Sequence, residues 1–155
     1  MAAIALYSGF VMEWHKGDYV ISTDRDLIDV EEVHRYLSVE SYWATGIPLD
    51  VFIRSIEHAL CFGLYKGDRQ AGFARVITDY ATFGYLADVF VLQPHRGQGL
   101  SKWMMSVIRD HPDLQGFRRW MLATRDAHGL YAQFGFTPLS ASDRLMEALK
   151  KDVYT

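Results

Sequence analysis

A single cysteine, few prolines and no surplus of positive charge set the first limits on this chain of 155 residues. Cys61 alone can form neither an internal disulfide nor a cysteine metal cluster, and a lone thiol fits a reducing cytoplasm. It lies in the apolar run ALCFGLY, where a packed core thiol is the ordinary outcome. The net charge of −3 provides no general basic surface, so a nucleic-acid partner is not expected. No apolar run reaches the ~20 residues that span a bilayer. The apolar opening MAAIALYSGFVM also lacks the basic start of a signal peptide, so no membrane partner is expected. The six histidines are too scattered for local ligand spacing, and no metal is expected. Repeats, low-complexity tracts and linkers are missing as well.

What is present is apolar. Half the residues are hydrophobic and 14% are aromatic, enough for one well-buried domain and too short for two. The domain is expected over residues 13–155, with residues 1–12 as an extension or an extra edge segment. Residues 18–23 (DYVIST) read as a strand. Residues 27–37 (LIDVEEVHRYL) have helical spacing with acids in the early turns. After the aromatic loop SYWATGIP, Pro48 suits the first turn of a second helix running to about residue 59. Residues 60–65 and 71–78 form a hairpin across Lys66-Gly67-Asp68. Residues 117–124 are a further strand, and residues 128–134 a short helix capped by Gly135. Phe136 begins another strand, and residues 144–149 read as the last. The order β-α-α-β-β-β-α-β-α-β-β describes one α/β domain with a mixed sheet.

The sequence is organised around YLADVFVLQPHRGQGLSKWMMSVIRDH, residues 85–111. Residues 85–92 are almost continuously apolar, so this strand is covered on both faces and central in the sheet. Pro94 marks its exit. From Leu100 the apolar positions Leu100, Trp103, Met104, Val107 and Ile108 share one helix face. Between strand and helix lie Arg96, Gly97, Gln98 and Gly99, with no acid from Gln93 to Arg109. A helix start has unpaired N–H groups and partial positive charge, and glycines let a ligand approach the backbone. Either this is a phosphate or pyrophosphate site, or it is a packing turn with solvated basic side chains. A P-loop is excluded because G-x-x-x-x-G-K-[ST] is absent, and Lys102 occupies the third glycine position of a Rossmann fingerprint.

Arg96-Gly97-Gln98-Gly99-Leu100-Ser101 resembles R-x-x-G-x-G/A, the coenzyme A pyrophosphate loop of the GNAT superfamily of acetyl-CoA-dependent N-acetyltransferases, with Ser101 replacing the final small residue. A second match lies in TRDAHGLYAQFGF, residues 124–136. There Leu130-Tyr131 and Phe134-Gly135-Phe136 resemble the family's short helix with its closing Gly-Phe pair, and Thr124 stands where many members have asparagine. The element order is also the family's, which implies a single-domain GNAT-like fold with a mixed, mostly antiparallel sheet.

The resemblance implies attack of a primary amine, small molecule or peptide, on the thioester of acetyl-CoA in a ternary complex. Residues Arg96 to Ser101 would hold the pyrophosphate, the backbone of Phe90, Val91 and Leu92 would pair with the pantetheine amides, and Thr124 would adjoin the cofactor. Tyr131 is the candidate general acid, or else packs beside Phe134 with its hydroxyl satisfied. Asp88, the one charge within the central strand, is either a base made stronger by burial or a brace for the strand. His128 shares much the same helix face as Tyr131. It is a base, a contact to acyl-CoA, or a solvated side chain. Tyr42, Trp43 and Glu31 offer aromatic faces and a carboxylate to a cationic amine, or else anchor a loop and a wet helix face. The competing function is an acyl-CoA-binding sensor without turnover, and a generic nucleotide-binding protein is the third reading. A homodimer stays open.

Overall fold

The computed structural model describes residues 9–155. Residues 1–8, and with them most of the segment expected as an extension or edge piece, lie outside the described residues. The chain enters through a hairpin, β1 (Glu13–Lys16) and β2 (Tyr19–Ser22), turned at Gly17 with φ +58°. Helix α1 (Val30–Arg35) runs on into a π turn (Tyr36–Glu40), and α2 (Leu49–Glu57) follows. Strands β3 (Leu60–Lys66), β4 (Arg69–Thr78) and β5 (Phe83–Val91) lead to α3 (Leu100–Asp110). The crossover ends in β6 (Arg119–Leu122), and α4 (His128–Ala132) comes last. The six strands lie in one sheet in chain order, antiparallel throughout except for the parallel pair β5–β6.

Alternation along the strands divides the core in two. On β3, Leu60, Phe62 and Leu64 join the cluster beneath α3, which includes Met104, Met105 and Ile108. Cys61 faces the other way, into the cluster beneath α1 and α2 with Val33, Leu37, Phe52 and Phe73. Burial pushes the Cys61 thiol up to about 11. No helix of the described residues is long and apolar enough to cross a membrane.

Three expectations need correction. The opening strand is one arm of a hairpin, because β1 carries Glu13, His15 and Lys16 and shows no apolar alternation. Only Trp14 packs on the core, against Phe62 and His111. The first helix starts at Val30, where Asp29 caps it by accepting the Glu32 N–H at 3.1 Å. The third correction concerns the C-terminal strands. Among the described residues no strand follows β6, so the outer edge of β6 has no ladder partner. Phe136 instead packs its ring against Trp120 and Tyr131, and Pro138 lacks the N–H a ladder would use. Residues 144–149 find no apolar cover, with Met146 98% and Leu149 64% exposed.

The feature that shapes the site is a bulge in β5. Phe73 faces Phe90 and Arg75 faces Ala87, so β5 holds one residue more than β4 over this interval. Asp88 takes up the excess with φ +54°, a left-handed conformation that Asp tolerates better than most residues. Two bonds hold its buried carboxylate. Arg75 Nε donates to Oδ2 at 2.5 Å, and Trp43 Nε1 donates to Oδ1 at 2.9 Å. On the far side, β5 pairs with β6 only from Phe83↔Arg119 to Leu86↔Leu122, and then continues alone to Val91. The sheet is split there.

Two measurements test this description. Arg75→Met, which strands a buried carboxylate, should cost about 3–5 kcal/mol in urea unfolding. Adding Asp88→Asn should recover much of that loss, since asparagine tolerates the dihedral and still accepts the Trp43 N–H. At pH 8, a rise from about 9 to about 11 lowers the Cys61 thiolate fraction about 100-fold. An aromatic disulfide reagent should therefore label Cys61 at least that much more slowly in the native protein than after denaturation.

Candidate active site

The turn after β5 forms a cradle at a helix start. Gly97 and Gly99 have φ +80° and +75°, and a Cβ on either would meet nothing within 4 Å. Glycine is therefore required for conformation, and the space above the turn stays open. That space is a cavity of about 280 Å³ lined by Val91, His95, Arg96, Gly97, Gly99, Leu100, Ser101 and Lys102. The first helical bond of this turn runs from Trp103 N–H to Gly99 O at 3.0 Å. The amides of Leu100, Ser101 and Lys102 thus have no acceptor within the helix, and no acid lies in the first turn.

Arg96 and Gln98 behave differently from the backbone. Arg96 Nε donates to Val91 O at 2.8 Å, and its Nη2 donates to the Tyr36 hydroxyl at 3.3 Å, although the residue remains exposed at the cavity. One edge of the guanidinium therefore braces the end of β5 against the π turn. Gln98 does not line the cavity. Its amide donates to the Tyr19 hydroxyl and to His95 O, both at 3.2 Å, and His95 Nδ1 meets the same hydroxyl at 2.8 Å.

Beyond Leu86 one side of β5 is open to the cleft. Leu92 N–H donates to Ala71 O at 2.8 Å, so Leu92 faces β4. By alternation Phe90 faces β4 as well, and the backbone groups of Val89 and Val91 face the cleft. The bond from Arg96 to Val91 O agrees with this. Of the three residues expected to offer backbone to an extended ligand, Val91 turns its backbone toward the cleft, while Phe90 and Leu92 turn theirs to β4. Val89, which periodicity in the sequence does not single out, is the other.

Tyr131 stands across the cleft on α4, 9% exposed, and lines two cavities at once. Burial, with smaller contributions from Tyr42 and Asp126, pushes its phenol up to about 12. It therefore stays protonated at every physiological pH. Thr124 sets up its helix: Oγ1 accepts the Ala127 N–H at 3.0 Å. His128 is exposed and shares with Tyr131 and Thr124 a cavity of about 370 Å³ along β6.

The second cavity, of about 310 Å³, lies between the bulge, α4 and the 42–47 loop. Tyr42 and Trp43 meet edge to face at 5.0 Å. The Tyr42 hydroxyl accepts the Arg125 N–H at 2.8 Å, and the Arg125 guanidinium covers the Tyr42 ring at 3.9 Å. Asp88 and its partner Arg75 form part of the wall. Glu31 is exposed in the first turn of α1 and is not among the residues of this cavity. The carboxylate that joins the aromatic pair is Asp126 instead.

The structure thus brings Tyr42, Trp43, Asp88, Thr124 and Tyr131 around one space and leaves Glu31 out. It adds Arg75, Tyr85, Asp126 and Tyr154, which sequence reasoning missed. Arg75 had a signal, a lone charge inside the apolar run AGFARVI. Tyr154 had none, since it arrives from the far end of the chain. A larger cavity of about 420 Å³ at the other end of β6 contains none of the expected site residues. Among the described residues no three His, Cys, Asp or Glu side chains gather as a metal site.

Comparison with known proteins agrees with this geometry. The family model described as Acetyltransferase (GNAT) family matches residues 11–136. A Gibberella zeae protein named as an acetyltransferase is 34% identical over 142 residues, covering 77% of this chain and 79% of that protein. A crystal structure from Xanthomonas campestris, described as an acetyltransferase of the GNAT family, is 53% identical with a TM-score of 0.87. The match covers 88% of this chain and 96% of that one. A Clostridium acetobutylicum acetyltransferase crystallised with acetyl-CoA shares the fold at 12% identity and a TM-score of 0.57, over 84% of this chain and 94% of that one. Split sheet, glycine cradle and sequence relatives lead to one assignment, and this chain belongs to the GNAT family of acetyltransferases.

Proposed function

We propose that the protein transfers the acetyl group of acetyl-CoA to a primary amine by direct attack in a ternary complex. The observation that carries this reading is the lone run of β5 past Leu86, which joins the cradle at one end to Tyr131 at the other. Acetyl-CoA supplies the activated acetyl thioester, whose C–S bond breaks as the new C–N bond forms. The amides of Leu100, Ser101 and Lys102 hold the pyrophosphate by charge-assisted hydrogen bonds at the helix start. Backbone groups of Val89 and Val91 align the extended arm, and an N–H there polarises the reacting carbonyl.

Tyr131 donates to the departing sulfur. A phenol at about 12 keeps its proton and offers it as a hydrogen bond, while the same burial makes the thiolate more basic and readier to accept it. The acetylated nitrogen sheds one proton, which restores the phenol through solvent. Asp88 acts as a positioning residue, since both of its oxygens already accept bonds from Arg75 and Trp43. His128, exposed beside Tyr131, is the side chain open to relay the amine's proton to water.

Thiol release from acetyl-CoA across a panel of primary amines tests the activity. Tight CoA binding with no turnover on any amine would favour the sensor reading. For the acid role, Tyr131→Phe should lower kcat by about 100-fold or more, with CoA affinity within about threefold of wild type by titration calorimetry. Full activity in that variant would remove Tyr131 from the chemistry.

A further inference from the structure

We propose that Tyr154 is the outer wall of the acceptor cavity and restricts the acceptor to small primary amines, excluding lysines carried on peptides. This rests on the acetyltransferase reading of the same site. The C-terminal segment beyond α4 is exposed over most of its length, as Met146, Leu149 and Val153 show. Its last turn is closed by Thr155, whose N–H and hydroxyl both donate to Asp152 O, at 3.3 and 3.0 Å. That turn carries one ring back against the body of the protein. Tyr154 is half-buried, packs on the core beneath α1 and α2, and lines the 310 Å³ cavity together with Tyr131 and Asp88.

The seat for the backbone of this residue is built into the loop before α2. Gly46 adopts φ +77°, and a Cβ there would stand 3.1 Å from Tyr154 O and 3.7 Å from Tyr154 Cβ. Only a glycine both takes that conformation and leaves room for the tail to lie so close.

The wall decides what fits. Tyr42, Trp43 and Tyr154 present aromatic surface to the same space. Of the charged groups lining it, Arg75 and Asp88 neutralise each other, and Asp126 pairs with Arg125, whose guanidinium covers the Tyr42 ring. The Trp43 and Tyr154 rings remain to meet an amine or the ammonium group it derives from. A space of about 310 Å³ is roughly ten water volumes. It admits a short amine beside the reacting acetyl. A peptidyl lysine would also have to bring its flanking backbone past the Tyr154 ring that lines this space.

The test compares n-butylamine with a blocked hexapeptide containing one lysine, in wild type, Tyr154→Ala and Tyr154→Phe. Wild type should favour butylamine in kcat/KM by about 100-fold or more, and Tyr154→Ala should shrink that ratio about tenfold through KM. Tyr154→Phe, which keeps the ring, should retain the wild-type ratio. A wild type that acetylates the peptide as readily, or a ratio unmoved in Tyr154→Ala, overturns the assignment while the activity stands. If wild type acetylates neither substrate nor any other amine of the panel, the acetyltransferase reading itself fails. Butylamine titrated into the CoA-loaded protein then reads the wall directly. Affinity weakened about tenfold in Tyr154→Ala upholds the proposal, and equal affinity or no binding overturns it.

Discussion

The carboxylate of Asp88 holds the site together. It sits on a residue whose backbone is left-handed in the middle of a sheet, and Arg75 on the neighbouring strand fixes it there. The extra residue redirects β5, so that its ladder with β6 ends at Leu86 and five more residues run on paired with β4 only. The same carboxylate reaches Trp43 in the loop that walls the 310 Å³ cavity. One buried ion pair therefore sets the split in the sheet and the position of the loop facing it. Such pairs add little net stability, because desolvation offsets much of the attraction. What this one secures is a particular geometry.

The two ends of the lone strand work by different electrostatics. At the cradle the attraction comes from amide dipoles at a helix start, with Lys102 and Arg96 beside them. At the other end an apolar environment removes charge. Burial holds Tyr131 in its neutral, donating form and does the same to the Cys61 thiol inside the opposite core. A phenol kept neutral can serve a leaving group. A thiol kept neutral and out of reach is inert, which suits its place in the core.

Much of this was legible in the chain because local rules governed it. The strand–glycine–helix unit announced itself through a continuous apolar run, Pro94 and the helical spacing from Leu100. Tyr131 stood out only through the resemblance of residues 124–136 to the family's short helix and closing Gly-Phe pair. The bulge was not, since nothing in YLADVFV distinguishes a buried base from a residue in left-handed conformation. Strand β1 escaped notice because an edge strand with charges at three of four positions has no periodic signal. The expected C-terminal strands failed for the converse reason. Apolar residues are present there, and the fold leaves Met146 and Leu149 with nothing to bury them against. Tyr154 depended on the tail's path, which no window of sequence contains.

The π turn at Tyr36–Glu40 has a consequence for how relatives of this chain diverge. Tyr36 stacks on Phe90 at 3.9 Å and receives a bond from Arg96, while Ser41 N–H reaches back five residues to Tyr36 O at 2.9 Å. Each helical residue turns the chain by about 100°. Loss or gain of a single residue in this turn would swing Tyr42 and Trp43 to another bearing while Tyr36 kept its grip on the central strand. A change of length here would therefore exchange the loop wall of the cavity and release the Trp43 bond to Asp88 together, while the stack of Tyr36 on Phe90 stayed.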